Sequence, residues 1–177
     1  KENAATKGYE VDEEEAEKTA KIVGLAAIKY GDLSNQPAKD YVFDVDRFTS
    51  FEGDTGPYVL YTMVRIKSIL AKYKEQGGNV DTAKLQVAQN PSEKALAMEL
   101  VKFNTMMTAA YEESAPNKVC AYIYDLANAF NHFYHETKIL TETDEVKKAG
   151  WVALLTLTLH ILEACIDVLG FEAPDRM

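Results

Sequence analysis

Basic residues are scarce in this chain, and so are the side chains that usually build metal or disulfide sites. Against 28 Asp and Glu stand 19 Lys and Arg, a formal net charge of −9 over 177 residues. Whole-molecule repulsion then opposes indiscriminate binding of a polyanion, so a DNA-coating role is excluded and any nucleic-acid site must be local. The 2 cysteines, Cys120 and Cys165, sit within apolar helical patterns. That placement excludes a disulfide framework and a zinc ribbon, and fits a reducing cytoplasm. The opening KENAATKGYE holds no apolar run of the kind a secretion signal needs, and it lacks an initiator Met, as expected for a fragment. Long uninterrupted apolar runs are missing too. WVALLTLTLHILEACIDVLG, residues 151–170, approaches membrane-span length, but His160, Glu163 and Asp167 interrupt it and no basic anchors flank it. It reads as the buried central helix of a protein with no membrane contact, with His160 expected to find a buried partner.

What the chain does have is apolar content, 47%, enough for one main core. Asp12 followed by Glu15 resembles a capping box for a helix reaching about Tyr30, which the loop GDLSNQPAKD (31–40) stops. Residues 41–51 alternate briefly and then become ambiguous between an extended segment and a short helix. Thr55 or Gly56 then caps a helix with Pro57 in its first turn and Gly77-Gly78 at its end. Asn90-Pro91 with Glu93 starts another, running to about Ser114 with Leu96, Leu100, Phe103, Met107 and Ala110 inward. Pro116 begins a third long helix to about Thr137, with Val119, Ile123, Leu126, Phe130 and Phe133 at helical spacing. Thr143 or Asp144 opens the last, and Gly170 closes it. Short connections between long amphipathic helices predict an all-α antiparallel helical bundle over residues 51–177, preceded by a helical connector over 1–50.

The chemistry concentrates in FEGDTGPYVLYTMVR, residues 51–65. Tyr58, Tyr61 and Arg65 fall at i, i+3 and i+7 and share a helix face. Beyond them IKSILAKYK adds Lys67, Lys72 and Lys74 with no acid. Unpaired RNA bases are read by stacking on tyrosine or arginine and by hydrogen bonds to their edges, with lysines on phosphates. The competing structural reading packs both tyrosines in the core and pairs Arg65 with a surface acid. Spacing alone leaves both open.

The segments KYGDLSN (29–35), DYVFDVD (40–46) and FEGDTGPY (51–58), followed by Tyr61 and Arg65, closely resemble the region of arginyl-tRNA synthetases downstream of their catalytic domain. LANAFNHFY (126–134) resembles their anticodon-helix motif, and LGFEAPDRM (169–177) their C-terminal end. The resemblance covers nearly the whole chain, in order. It implies an anticodon-binding domain of class I synthetases whose full enzyme joins arginine to its tRNA using ATP and magnesium. The partners it implies are the anticodon loop of arginine tRNA and the enzyme's own N-terminal catalytic domain, in a cytoplasmic monomer.

Neither the HIGH-type tetrapeptide nor the KMSKS-type loop occurs, so no catalytic residue is assigned and the fragment is expected to be inactive alone. By the resemblance, tRNA binding falls to Asp54, Tyr58, Tyr61, Arg65, Lys67, Tyr134 and Met177. Met177 is implied to close over an anticodon base, where a terminal carboxylate beside a thioether suits cytosine's amino group. The chain departs from the family pattern at Leu60 and Met63, where relatives often carry Gln and His. It also lacks the Asp-Ala-Leu-Arg motif, reading AGWVALL over 149–155.

Two other classes compete. The aromatic face could meet a protein rather than RNA, giving a helical interaction module with no RNA role. His132 and His135 with Glu136 could form a metal site, but no third convergent ligand is evident and no metal is assigned. Cys120 and Cys165 have no activating base in view and read as small core residues. The DEEEAE run at 12–17 reads as a solvated first helical turn.

Overall fold

The structure, a computed structural model, describes residues 12–177; KENAATKGYE, and with it the start of the expected connector, lies outside them. In chain order the elements are α1 (Glu13–Leu33), α2 (Val45–Phe48), α3 (Gly56–Glu75), α4 (Pro91–Val101), α5 (Phe103–Glu112), α6 (Pro116–Glu136), a 3-10 turn (Ile139–Thr141) and α7 (Glu145–Leu169). The chain is an all-α bundle, as its periodicity predicts.

Local chemistry sets the boundaries. Thr55 Oγ1 accepts from the Tyr58 amide at 3.2 Å, and Pro57 sits in the first turn of α3, where no amide hydrogen is required. Asn90 accepts from the Glu93 amide at 2.8 Å while the Glu93 carboxylate accepts from the Gln89 amide at 2.9 Å, a reciprocal cap that starts α4. Asp144 accepts from Val146 and Lys147 at 3.0 and 3.1 Å to open α7. Gly170, at φ 78°, closes α7 in the left-handed region.

α6 is the hub. Its residues Val119, Ile123, Leu126, Phe130 and Phe133, alternately four and three apart, are all buried against α3, α4, α5 and α7. α7 buries Trp151, Leu155, Leu159, Leu162, Cys165 and Ile166 along one side. Among the described residues it is the helix long and apolar enough, by length and composition, to cross a membrane, and 50% of its most apolar window is buried in the bundle. α1 docks on α3 through a close approach: a Cβ on Gly56 would lie 2.5 Å from the Ala26 carbonyl oxygen. Only glycine permits that contact.

α6 and α7, joined by a short connection, run antiparallel and bring Phe133 and Trp151 into edge contact at 6.1 Å, while the Tyr122 hydroxyl ties α6 to α4 by donating to the Glu99 carbonyl at 3.1 Å. α3 and α6 are different. Tyr58 meets Tyr124 and Asn128, Thr62 meets Asn131, and Arg65 meets Asn131 and Tyr134, so the two helices run in the same sense.

Several expectations change in detail. α1 continues to Leu33 rather than stopping near Tyr30, and Asp12 caps it by accepting from Glu14, leaving Glu15 for another partner. The ambiguous 41–51 segment is extended up to Asp44, which caps the single turn of α2. The helix expected over 91–114 breaks at Lys102, whose amide donates to the Glu99 carbonyl at 3.1 Å in a tighter turn. Beyond that turn Phe103 lies 6.3 Å from the Tyr122 ring. His160 has no buried environment: with Leu157, Ala164 and Val168 it forms the outward stripe of α7, opposite the leucines that pack inward.

Candidate nucleic-acid interface

Because α3 and α6 run in the same sense, their polar residues meet in order. Tyr61, Arg65, Ser68 and Lys72, alternately four and three apart, put one stripe of α3 along a cleft of about 630 Å³. Tyr134, His135 and Lys138 line it from the end of α6, and Ile139 to Thr141 form its floor. Among the described residues no carboxylate lines this cleft, although the chain as a whole carries a net charge of −9. A local positive field on an acidic protein is the arrangement the sequence required of any RNA site.

The Arg65 guanidinium carbon lies 4.8 Å from the Tyr61 ring centroid and 5.1 Å from that of Tyr134, within cation–π range of both. Tyr134 in turn stacks on buried Phe130, with centroids 6.0 Å apart and planes at 23°. A chain of contacts therefore runs from core to surface: Phe130, Tyr134, Arg65, and then Tyr61, which is 40% exposed. A planar ligand can extend this series on the open face of Tyr61.

Tyr58 does not line the cleft. It is half-buried against Tyr124, centroids 5.8 Å apart, and its hydroxyl donates to Asn128 Oδ1 at 2.7 Å. Asn131 Nδ2 donates to that hydroxyl and to Thr62 Oγ1, both at 3.0 Å, while Arg65 Nη1 donates to Asn131 Oδ1 at 2.6 Å. Thr62, Asn128 and Asn131 were missed in the sequence. The available signal was two asparagines three apart inside an apolar helix, with Tyr134 three residues further on the same face.

The other sequence-predicted residues lie elsewhere. Asp54 is exposed in solvent at the α1 side, where its carboxylate accepts from the Tyr30 hydroxyl. Burial first, and that carboxylate second, raise the Tyr30 phenol well above its ordinary value. Lys67 points to the C-terminal tail, with Nζ 3.6 Å from Asp175 and donating to the Pro174 carbonyl at 3.4 Å. The same tail is tied to α1. Lys29 donates to the Gly170 carbonyl, and Arg176 grips Glu15 through two bonds of 2.6 Å, holding that carboxyl below its usual range. Met177, 41% exposed, follows this clamp.

The rival sites fare differently. His132 and Glu136 are both exposed at 3.8 Å, and no group of three or more His, Cys, Asp or Glu among the described residues could hold a metal ion. Burial pushes both thiols, Cys120 and Cys165, up to about 12, so neither is a ready nucleophile.

The family model for the DALR anticodon binding domain matches residues 59–177. The chain belongs to the DALR anticodon binding domain family. The arginine–tRNA ligase of Agathobacter rectalis is 62% identical over all of this chain and 30% of its own length. That of Alkaliphilus oremlandii is 52% identical over 94% of the chain and 28% of its own. The Thermus thermophilus arginyl-tRNA synthetase structure superposes with a TM-score of 0.85 at 31% identity, covering 98% of this chain and 29% of that one. The chain thus spans about 30% of the length of its curated relatives. Within this DALR domain, residues 149–155 carry no arginine, and Trp151 and Val152 there are buried. Leu60 and Met63 are likewise fully buried, which removes any polar contact from those two positions.

Proposed function

We propose that this chain reads the anticodon loop of arginine tRNA, as the C-terminal part of an arginine–tRNA ligase, with Tyr61, Arg65 and Tyr134 as its reading surface. The observation that carries this is a cleft, lined by no carboxylate among the described residues, in which a guanidinium lies against two tyrosine rings, in a chain of this family. An unpaired base stacking on Tyr61 contributes about 1–3 kcal/mol by the alanine criterion. Arg65 supplies donors to base edges, and Lys72 and Lys138 on the rim take phosphates.

Residues 51–177 then form the binding domain and residues 1–50 the connector. Tyr58 backs the surface from beneath, Asp54 and Met177 contact the loop from its ends, and Lys67 takes a phosphate when its weak contacts with the tail exchange. Catalysis, with ATP and magnesium, belongs to the upstream domain, this chain's other partner. The assembled enzyme is a cytoplasmic monomer that binds neither DNA nor membrane.

Tyr61→Ala in the intact ligase tests this reading. It raises KM for tRNA while leaving the thermal unfolding midpoint unchanged; an unaltered KM contradicts the assignment.

A further inference from the structure

We propose that Asn131 is the positioning residue of this surface: it fixes the Arg65 guanidinium for base reading through a closed hydrogen-bond network with Tyr58, Thr62 and Asn128. The inference rests on the reading above, in which Arg65 contacts RNA.

The network admits one arrangement. Guanidinium nitrogens only donate, so the Asn131 amide must present its oxygen to Arg65. Its two amide hydrogens then reach the Tyr58 hydroxyl and Thr62 Oγ1. Both oxygens are able to accept because their own hydrogens go elsewhere: that of Tyr58 to Asn128 Oδ1 at 2.7 Å, and that of Thr62 to the Tyr58 carbonyl at 3.0 Å. Rotating the Asn131 amide by half a turn sets donor against donor at Arg65 and lone pair against lone pair at the hydroxyls. Every member thus enforces the orientation of the next, and Thr62 is fully buried, which keeps water from substituting.

The choice of a neutral amide is equally specific. A carboxylate at 131 would orient Arg65 just as well, but it would neutralise the charge the cleft depends on. Asparagine removes rotamer freedom from a long, flexible side chain before RNA arrives and leaves its full positive charge facing outward.

The test is a double-mutant cycle in the intact ligase, reading the dissociation constant for arginine tRNA with Arg65→Ala, Asn131→Ala and both together. Asn131→Ala is expected to weaken binding roughly tenfold in the parent background, as loss of a charged hydrogen bond does. In the Arg65→Ala background it is expected to add almost nothing. A structural role moves both backgrounds alike, so equal effects in both, or no effect in the parent, overturn the proposal. Normal binding by Arg65→Ala alone sinks instead the reading on which it rests. Tyr58→Phe, which keeps the ring but deletes the shared hydroxyl, covers the case in which Asn131→Ala fails to fold. It is expected to shift affinity in the same direction and to a lesser degree, and to restore free rotation of the guanidinium in nitrogen-15 NMR; a guanidinium that stays hindered contradicts the network.

Discussion

The two flanks of α3 carry similar cations and treat them in opposite ways. On the α6 flank Arg65 lies against tyrosine rings and bonds a neutral amide, and no carboxylate among the described residues lines the cleft. On the α1 flank Lys67 faces Asp175, Lys29 caps a helix end at the Gly170 carbonyl, and Arg176 closes on Glu15. One flank orients charge without neutralising it; the other neutralises charge to fasten a tail. A count of basic residues would rank the flanks alike, whereas the identity of their partners separates a binding surface from a clasp.

The largest expected effect lies on the cleft side. Replacing Tyr61 and Tyr134 together with alanine removes two stacking rings, each worth about 1–3 kcal/mol, so tRNA affinity falls by at least one order of magnitude in a filter-binding titration. A comparable loss from altering the tail clasp would erase the distinction between flanks.

Next is Tyr30, which ties α1 to Asp54 and lies within reach of the Cys120 carbonyl at 2.9 Å. Tyr30→Phe deletes the hydrogen bond to the Asp54 carboxylate and lowers stability by about 1.5–3 kcal/mol in urea denaturation at pH 7. It also changes the alkaline limb. The folded state holds the Tyr30 proton after the unfolded chain has released its own, so the wild-type contribution is complete below the ordinary value of 10.0 and declines as pH rises past it. The two thiols add a similar decline from their ordinary 9.0 up to about 12. Stability of Tyr30→Phe should therefore fall less steeply above pH 10 than that of the wild type.

Smaller still is Lys67→Ala. If its phosphate contact is the secondary one proposed, affinity drops alike for all tRNAs and the slope of log K against log salt shrinks by about one. A selective loss for arginine tRNA would move Lys67 to the reading side. The smallest effect belongs to Glu15→Gln. Arg176 holds this carboxyl below its ordinary 4.5, so whatever the pair contributes is present above that value and vanishes as pH falls through the lowered one. Being exposed, the pair should leave the unfolding midpoint at neutral pH almost unmoved.

Sequence periodicity and caps carried much of this fold. The starts of α3, α4 and α7 were legible because Thr55, Asn90 and Asp144 each precede a first turn whose amides need an acceptor. The inward face of α6 was legible because five apolar residues hold helical register. The single turn of α2 was not: four residues are too few for a period to emerge. The break at Lys102 has no proline or glycine to announce it, and it depends on where Phe103 packs.

At the site, the common face of Tyr61 and Arg65 was written in their spacing, and Tyr134 joined them only through family resemblance. Asn128 and Asn131 stayed silent because mid-helix asparagine shows only weak propensity, and its meaning comes from a partner helix. Lys67 was readable after all. It lies two residues from Arg65, about 200° around the helix, and so could not share the cleft.

The central claim is that the α3–α6 cleft distinguishes one anticodon from another. The most direct measurement is the ratio of dissociation constants for arginine tRNA and an anticodon-swapped variant, taken for the intact ligase and its Arg65→Ala form at one salt concentration. A marked preference in the parent that collapses toward unity in the variant is the predicted result. A preference that survives the loss of Arg65 would contradict it.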